Sequence, residues 1–273
     1  MKKEVFNNKS SMKVYTAILS AVLCVVLLLG VIISEAIGNA KPKQAAVPQQ
    51  LAALDKKDPK QIQKTIQKMK VEALIKQAEA SLDKETEEGE SSIWSLFENY
   101  AVLGDSRAVG FSYYDFLRDD RVFAAGGNTI RDIPGTIKDL KAISPATIYL
   151  CYGLNDTGIG YWSTGEEYGK ELRSVFDKLK KALPDTKIVA SSILPATEAS
   201  LEKNPVWRKI PDFDKALKAA CKDKGVIYVD NSEIVEKYMS TLYDSDGVHL
   251  RPAFYPLWAK NLYMATILSD TEE

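Results

Sequence analysis

From Ile93 onward, short apolar runs alternate with longer segments whose apolar residues recur at helical spacing. Ala101-Val102-Leu103, Val122-Phe123-Ala124, Thr147 to Cys151, Lys187 to Ala190 and Val226 to Val229 are β-prone on successive positions, as strands buried on both faces are. The spacing predicts helices at about 131–141, 166–182, 212–224 and 253–268, several of them bounded by Gly or Pro. Strand and helix in repetition predict a mostly parallel sheet of about five strands, and right-handed crossovers make it a doubly wound, three-layer α/β/α sandwich. Residues 93–273 are enough chain for one such core.

The N-terminal part has a different pattern. Val14 to Ile33 carries no charge and is dominated by Ala, Val, Leu and Ile. At ~1.5 Å per residue, a helix of that length spans a ~30 Å hydrocarbon core. Lys2, Lys3, Lys9 and Lys13 precede it, so the positive-inside bias makes residues 1–13 cytoplasmic, 14–37 a transmembrane helix, and everything beyond extracytoplasmic. A cleaved signal peptide is the rival, with small residues in Ser34-Glu35-Ala36 and Gly38-Asn39-Ala40; the long apolar run favours a retained anchor. No small residue immediately precedes Cys24, so lipidation is not expected. Residues 38–92 read as a stalk and linker. Ile62, Ile66, Met69, Leu74 and Ile75 give one amphipathic helix from Pro59 to about Leu82, followed by the charged run Lys84 to Ser92.

Charge narrows the partners. With Lys and Arg totalling 36 against 37 Asp and Glu, bulk electrostatics give no reason to expect nucleic acid. The three cysteines, Cys24, Cys151 and Cys221, form neither C-x-x-C nor a zinc spacing; no metal, cofactor or disulfide framework is expected, and pairing of Cys151 with Cys221 stays open.

The candidate chemistry gathers where the strands end, the rim at which doubly wound sheets bind ligands. Gly104-Asp105-Ser106 follows the first strand, Gly126-Gly127-Asn128-Thr129 the second, and Gly153-Leu154-Asn155-Asp156 the third. The single histidine, His249, stands three positions after Asp246 in a short loop before the last helix. From there Asp246 can turn back to accept the imidazole Nδ1–H, leaving Nε2 to take a proton from Ser106. An isolated D-x-x-H is most simply a surface histidine in an acidic turn, and a glycine after a strand is ordinary turn chemistry. The joint order of the motifs changes that reading. No G-x-S-x-G surrounds Ser106, so the nucleophile elbow of the α/β-hydrolases is absent.

In these residues the chain resembles the SGNH, or GDSL, hydrolases, whose four sequence blocks carry Ser, Gly, Asn and His. Gly104-Asp105-Ser106 resembles the first block, Gly127-Asn128-Thr129 the second, Gly153-x-Asn155-Asp156 the third and Asp246-x-x-His249 the fourth, in family order from about Tyr100 to the C-terminus. The resemblance implies a flavodoxin-like α/β fold and a serine esterase. Ser106 would be the nucleophile, His249 the general base and Asp246 its orienting acid. The oxyanion hole would comprise the N–H groups of Ser106 and Gly127, with Gly126 the alternative, and the Asn155 amide. Asp105 and Asp156 would hold loop amides rather than transfer protons.

Arg107 and Arg251 flank nucleophile and base and are candidates for binding an anionic substrate, a loop salt bridge being the plainer use. Tyr161 and Trp162 follow the Asn155 loop and could stack on a sugar or pack locally; the insertion from Pro195 to Pro211, with Trp207, could wall the cleft. The expected activity is hydrolysis of acyl esters, above all O-acetyl esters, on cell-envelope or extracellular glycans. An O-acetyltransferase using the same triad and a membrane-bound acyl-donor partner is one alternative, and a non-catalytic glycan-binding or scaffold module on a stalk is another.

Overall fold

A computed structural model describes residues 93–272 of the chain. The expected membrane span, the expected stalk and Cys24 lie outside the described residues. Among the described residues, no helix is long and apolar enough to cross a membrane.

Five strands, β1 (Tyr100–Gly104), β2 (Val122–Ala124), β3 (Thr147–Cys151), β4 (Lys187–Ser191) and β5 (Ile227–Val229), form one sheet in the order β2-β1-β3-β4-β5. All neighbours are parallel, with Val102 beside Val122 and Tyr149, Tyr149 beside Val189, and Val189 beside Ile227. Successive side chains point to opposite faces, and both faces are covered. Ala101, Leu103, Ile148, Leu150, Ile188 and Ala190 enter one buried cluster; Tyr100, Val102, Tyr149, Cys151, Val189 and Val229 enter the other. This two-sided burial is why the strands read as unbroken apolar runs.

The first cluster lies under α2 (Ile133–Ile143), α4 (Gly165–Ala182) and α6 (Ile210–Lys224), and the second under α1 (Ser106–Tyr113), α7 (Ser232–Leu242) and α8 (Phe254–Glu272). Two shorter helices, α3 (Leu154–Gly158) and α5 (Glu198–Lys203), belong to loops at the carboxyl ends of the strands. Cys151 and Cys221 are free, buried thiols in opposite clusters, so no bridge joins them.

Several boundaries differ from the spacing. Helix α6 starts at Ile210 rather than 212 because Pro211 sits in its first turn, where its missing N–H would have been unpaired in any case. Helix α4 starts at Gly165 after Thr164, whose hydroxyl accepts the Glu167 N–H at 3.3 Å while the Glu167 carboxylate takes the Ser163 N–H at 2.7 Å. Helices α1, α3, α5 and α7 have no counterpart among the expected elements.

Candidate active site

The strand order reverses between β1 and β3, and the crevice beyond their carboxyl ends is the natural ligand site of such a sheet. Asp105 continues the pairing by donating its N–H to Cys151 O at 3.3 Å, then caps α1 by accepting the Arg107 N–H at 2.9 Å. Its carboxyl also takes the Leu154 N–H, tying the turn after β1 to the turn after β3. Burial pushes this carboxyl up, with the Arg107 charge and those two amides working against it. Ser106 is thereby fixed as the first residue of α1, where a helix leaves its N–H groups without intrahelical acceptors.

His249 reaches this serine from the far end of the chain. Its Nε2 lies 3.0 Å from Ser106 Oγ and its Nδ1 lies 2.6 Å from Asp246 Oδ2. The other Asp246 oxygen accepts the backbone N–H groups of Val248 and His249 at 2.8 and 2.9 Å. Burial raises the Asp246 carboxyl, but the His249 ring and these two amides outweigh it and hold the group below its ordinary range. The imidazole is about half exposed, with 47% of its side-chain surface open, so an incoming molecule has access to it.

Gly127, Asn155 and Asp156 lie in the segments that follow β2 and β3. Gly127 is exposed with φ of +84°, a left-handed conformation that an L side chain would strain, and a Cβ there would meet nothing. Gly126 lacks that requirement. Asn155 Nδ2 donates to Asn128 O at 3.1 Å, so the amide is oriented by the residue next to Gly127 and keeps its second N–H. Asp156, the next residue, is wholly buried; Oδ1 accepts the Ile130 N–H at 2.9 Å and Oδ2 has no hydrogen-bond partner among the described residues. Burial, aided by the charge of Asp105, pushes the Asp156 carboxyl up to about 7.

Two of the side chains named as rim candidates turn inward. Arg107 is only 3% exposed, and its guanidinium turns inward to the carbonyls of Leu194 and Pro195, the latter at 3.3 Å, with no salt-bridge partner among the described residues. Trp162 is 4% exposed and its indole N–H donates to Glu171 at 2.8 Å, which leaves no face for a sugar. Tyr161 is 51% exposed, with Arg131 stacked on its ring at 4.5 Å; Glu171 grips that guanidinium with both oxygens at 3.0 and 2.9 Å. Arg251 is exposed and donates to Thr241 O at 3.2 Å, at the end of α7. Trp207 packs its indole against Gly158, so the insertion closes over α3.

Sequence reasoning missed Thr197 and Ser200, which touch the Asp246–His249 loop from α5, and Asn231, wholly buried between the ends of β4 and β5. No local pattern marks them, because their partners lie tens of residues away. Among the described residues, no group of three or more His, Cys, Asp or Glu is placed to hold a metal.

The GDSL-like lipase/acylhydrolase family matches residues 101–257. Among curated proteins none matches the chain. Solved structures share the fold. A lipase/acylhydrolase from Enterococcus faecalis is 16% identical with a TM-score of 0.50, covering 64% of this chain and 96% of its own. A GDSL-like lipase from Bacteroides thetaiotaomicron is 21% identical with a TM-score of 0.50, covering 63% and 88%. The family match runs from β1 through the Ser106 turn and the His249 loop into α8; the chain belongs to the GDSL-like lipase/acylhydrolase family and is a hydrolase of the esterase class.

Proposed function

We propose that the chain is a serine esterase that removes acyl groups, chiefly O-acetyl, from cell-envelope or extracellular glycans while anchored by Val14–Ile33 with residues 93–273 facing outward. The observation that carries the catalytic part is the unbroken contact from Ser106 Oγ through the His249 ring to Asp246. As Ser106 attacks the ester carbonyl, His249 Nε2 takes its proton, and Asp246 holds the Nδ1–H and stabilises the imidazolium. The oxyanion receives the N–H groups of Ser106 and Gly127 and the free N–H of Asn155, and the N-terminus of α1 adds a favourable field. Collapse expels the alcohol, which regains the proton from His249. Water, deprotonated by the same ring, then cleaves the acyl-enzyme and releases the acid.

The glycan is supported by the outward placement that the N-terminal charge pattern favours, and by Tyr161, an exposed ring held in place at the rim. The test is turnover of p-nitrophenyl esters of increasing acyl length by the full-length chain, beside acetate release from an acetylated glycan. Acetyl turnover fastest, acetate release, and loss of both in Ser106→Ala are expected. A preference for long acyl chains, or no acetate release, contradicts the substrate; labelling of Ser106 by a fluorophosphonate without hydrolysis points to transfer instead.

A further inference from the structure

The segment following β4 contacts the neighbour of Ser106 at one end and the Asp246–His249 loop at the other. At one end, the buried Arg107, next to Ser106 on α1, donates to the carbonyls of Leu194 and Pro195. A guanidinium so deeply buried, held by carbonyls and with its Nε left unpaired, is an expensive way to fix a loop. It therefore fixes that loop firmly to the nucleophile's helix. The backbone of α1 is secured from the other side, where Tyr255 of α8 donates its hydroxyl to Arg107 O at 2.8 Å.

Two and five residues beyond Pro195, the same segment holds the acid–base loop. Thr197 donates its N–H to Gly247 O at 2.9 Å, and the buried Ser200 hydroxyl donates to the backbone carbonyl of Asp246. The two hydroxyls lie 3.3 Å apart. Gly247 has φ of +70°, and a Cβ there would collide with the side-chain oxygens of Thr197 and Ser200, so the loop is pressed directly onto this surface. Asp246 has no other support from α5: its carboxylate is spent entirely on its own loop and on the His249 ring.

We propose that residues 194–200 form a brace between α1 and the Asp246–His249 loop that sets the separation of Ser106 and His249, with Arg107 and Ser200 as its positioning residues. The inference rests on the catalytic reading of Ser106 and His249 given above. Neither residue touches substrate. They act by removing freedom from a contact between groups far apart in sequence, and a displacement of ~1 Å at such a contact reduces turnover by about a hundredfold.

Because the chain has a single histidine, its ring resonances identify His249 without further assignment. The experiment compares full-length wild type, Ser200→Ala, Arg107→Lys and the double variant by kcat, KM and the histidine ring signals in NMR spectra. Arg107→Lys keeps the charge but cannot span two carbonyls, and gives a second arm where either variant folds poorly. Each single variant is expected to lose about tenfold to hundredfold in kcat with KM nearly unchanged and to move or broaden the His249 signals; the double variant is expected to lose no more than the worse single one. Wild-type kcat and unmoved His249 signals in Ser200→Ala, or losses that multiply in the double variant, overturn the brace. Moved His249 signals in a chain whose wild type turns over no ester uphold the brace and overturn the esterase reading instead.

Discussion

Ser106 Oγ and His249 Nε2 lie 3.0 Å apart although 143 positions separate them in the chain. The parallel sheet makes this meeting possible: β1 delivers Ser106 to the carboxyl edge, and the chain returns past α7 to the same edge before entering α8. Asp246 is local to His249, so the acid and base arrive as one unit and the serine as another. Removing the orienting acid should then harm rate more than fold. Asp246→Asn should lower kcat by about 10³ to 10⁴ while KM changes little, because the amide can hold the wrong imidazole tautomer. Steady-state kinetics beside a thermal melt check both halves of this expectation.

Asn155 offers a test of a different element. Its amide is oriented by Asn128 O; if, as proposed, its other N–H serves the oxyanion, Asn155→Ala should lower kcat by about 10² to 10³ and leave KM near its original value. A loss confined to KM would assign Asn155 to ground-state binding.

How much of this was legible in the sequence depends on how local each signal is. The strands were legible because burial on both faces leaves runs such as Thr147 to Cys151 almost wholly apolar. Helix α1 was not, since it begins at the Ser106 motif itself and carries Gly110 within only a few turns; α7 mixes β-branched Ile234, Val235 and Thr241 into a short segment. The direction of a side chain was less legible still. Arg107 beside Ser106 and Trp162 beside Tyr161 look like rim residues by position, and both turn inward to partners that the chain supplies elsewhere.

Asp156 links the site to the pH dependence of stability. Its folded carboxyl, pushed up to about 7 by burial, stays protonated where the unfolded carboxyl, at about 4, has already ionised. The folded state binds the extra proton, so this contribution is complete below about pH 4 and is lost as pH rises toward and through 7. Asp156→Asn keeps an acceptor for Ile130 N and removes the titration, so the variant's stability relative to wild type should rise between about pH 4 and 8. Urea unfolding midpoints across that range measure it; a constant difference would contradict the buried, raised carboxyl.

Asn231 should matter for stability alone. Its amide donates to Ser191 Oγ at 2.9 Å and Ser192 Oγ at 3.1 Å, its backbone N–H donates to Ser192 Oγ at 3.0 Å, and Trp258 closes the group on Ser191 at 3.0 Å. Asn231→Ala removes the two buried side-chain hydrogen bonds to Ser191 Oγ and Ser192 Oγ and opens a void, for a loss of about 2–4 kcal/mol. The expected result is a lowered unfolding midpoint with kcat/KM of the remaining folded protein intact.

Peptide mass spectrometry of the full-length chain after reaction with a fluorophosphonate shows which serine is the nucleophile. If Ser106 is the nucleophile, its modification is stoichiometric, far slower in His249→Ala and absent in Ser106→Ala. Modification at another serine, or none in a folded wild-type protein, contradicts Ser106 as the nucleophile.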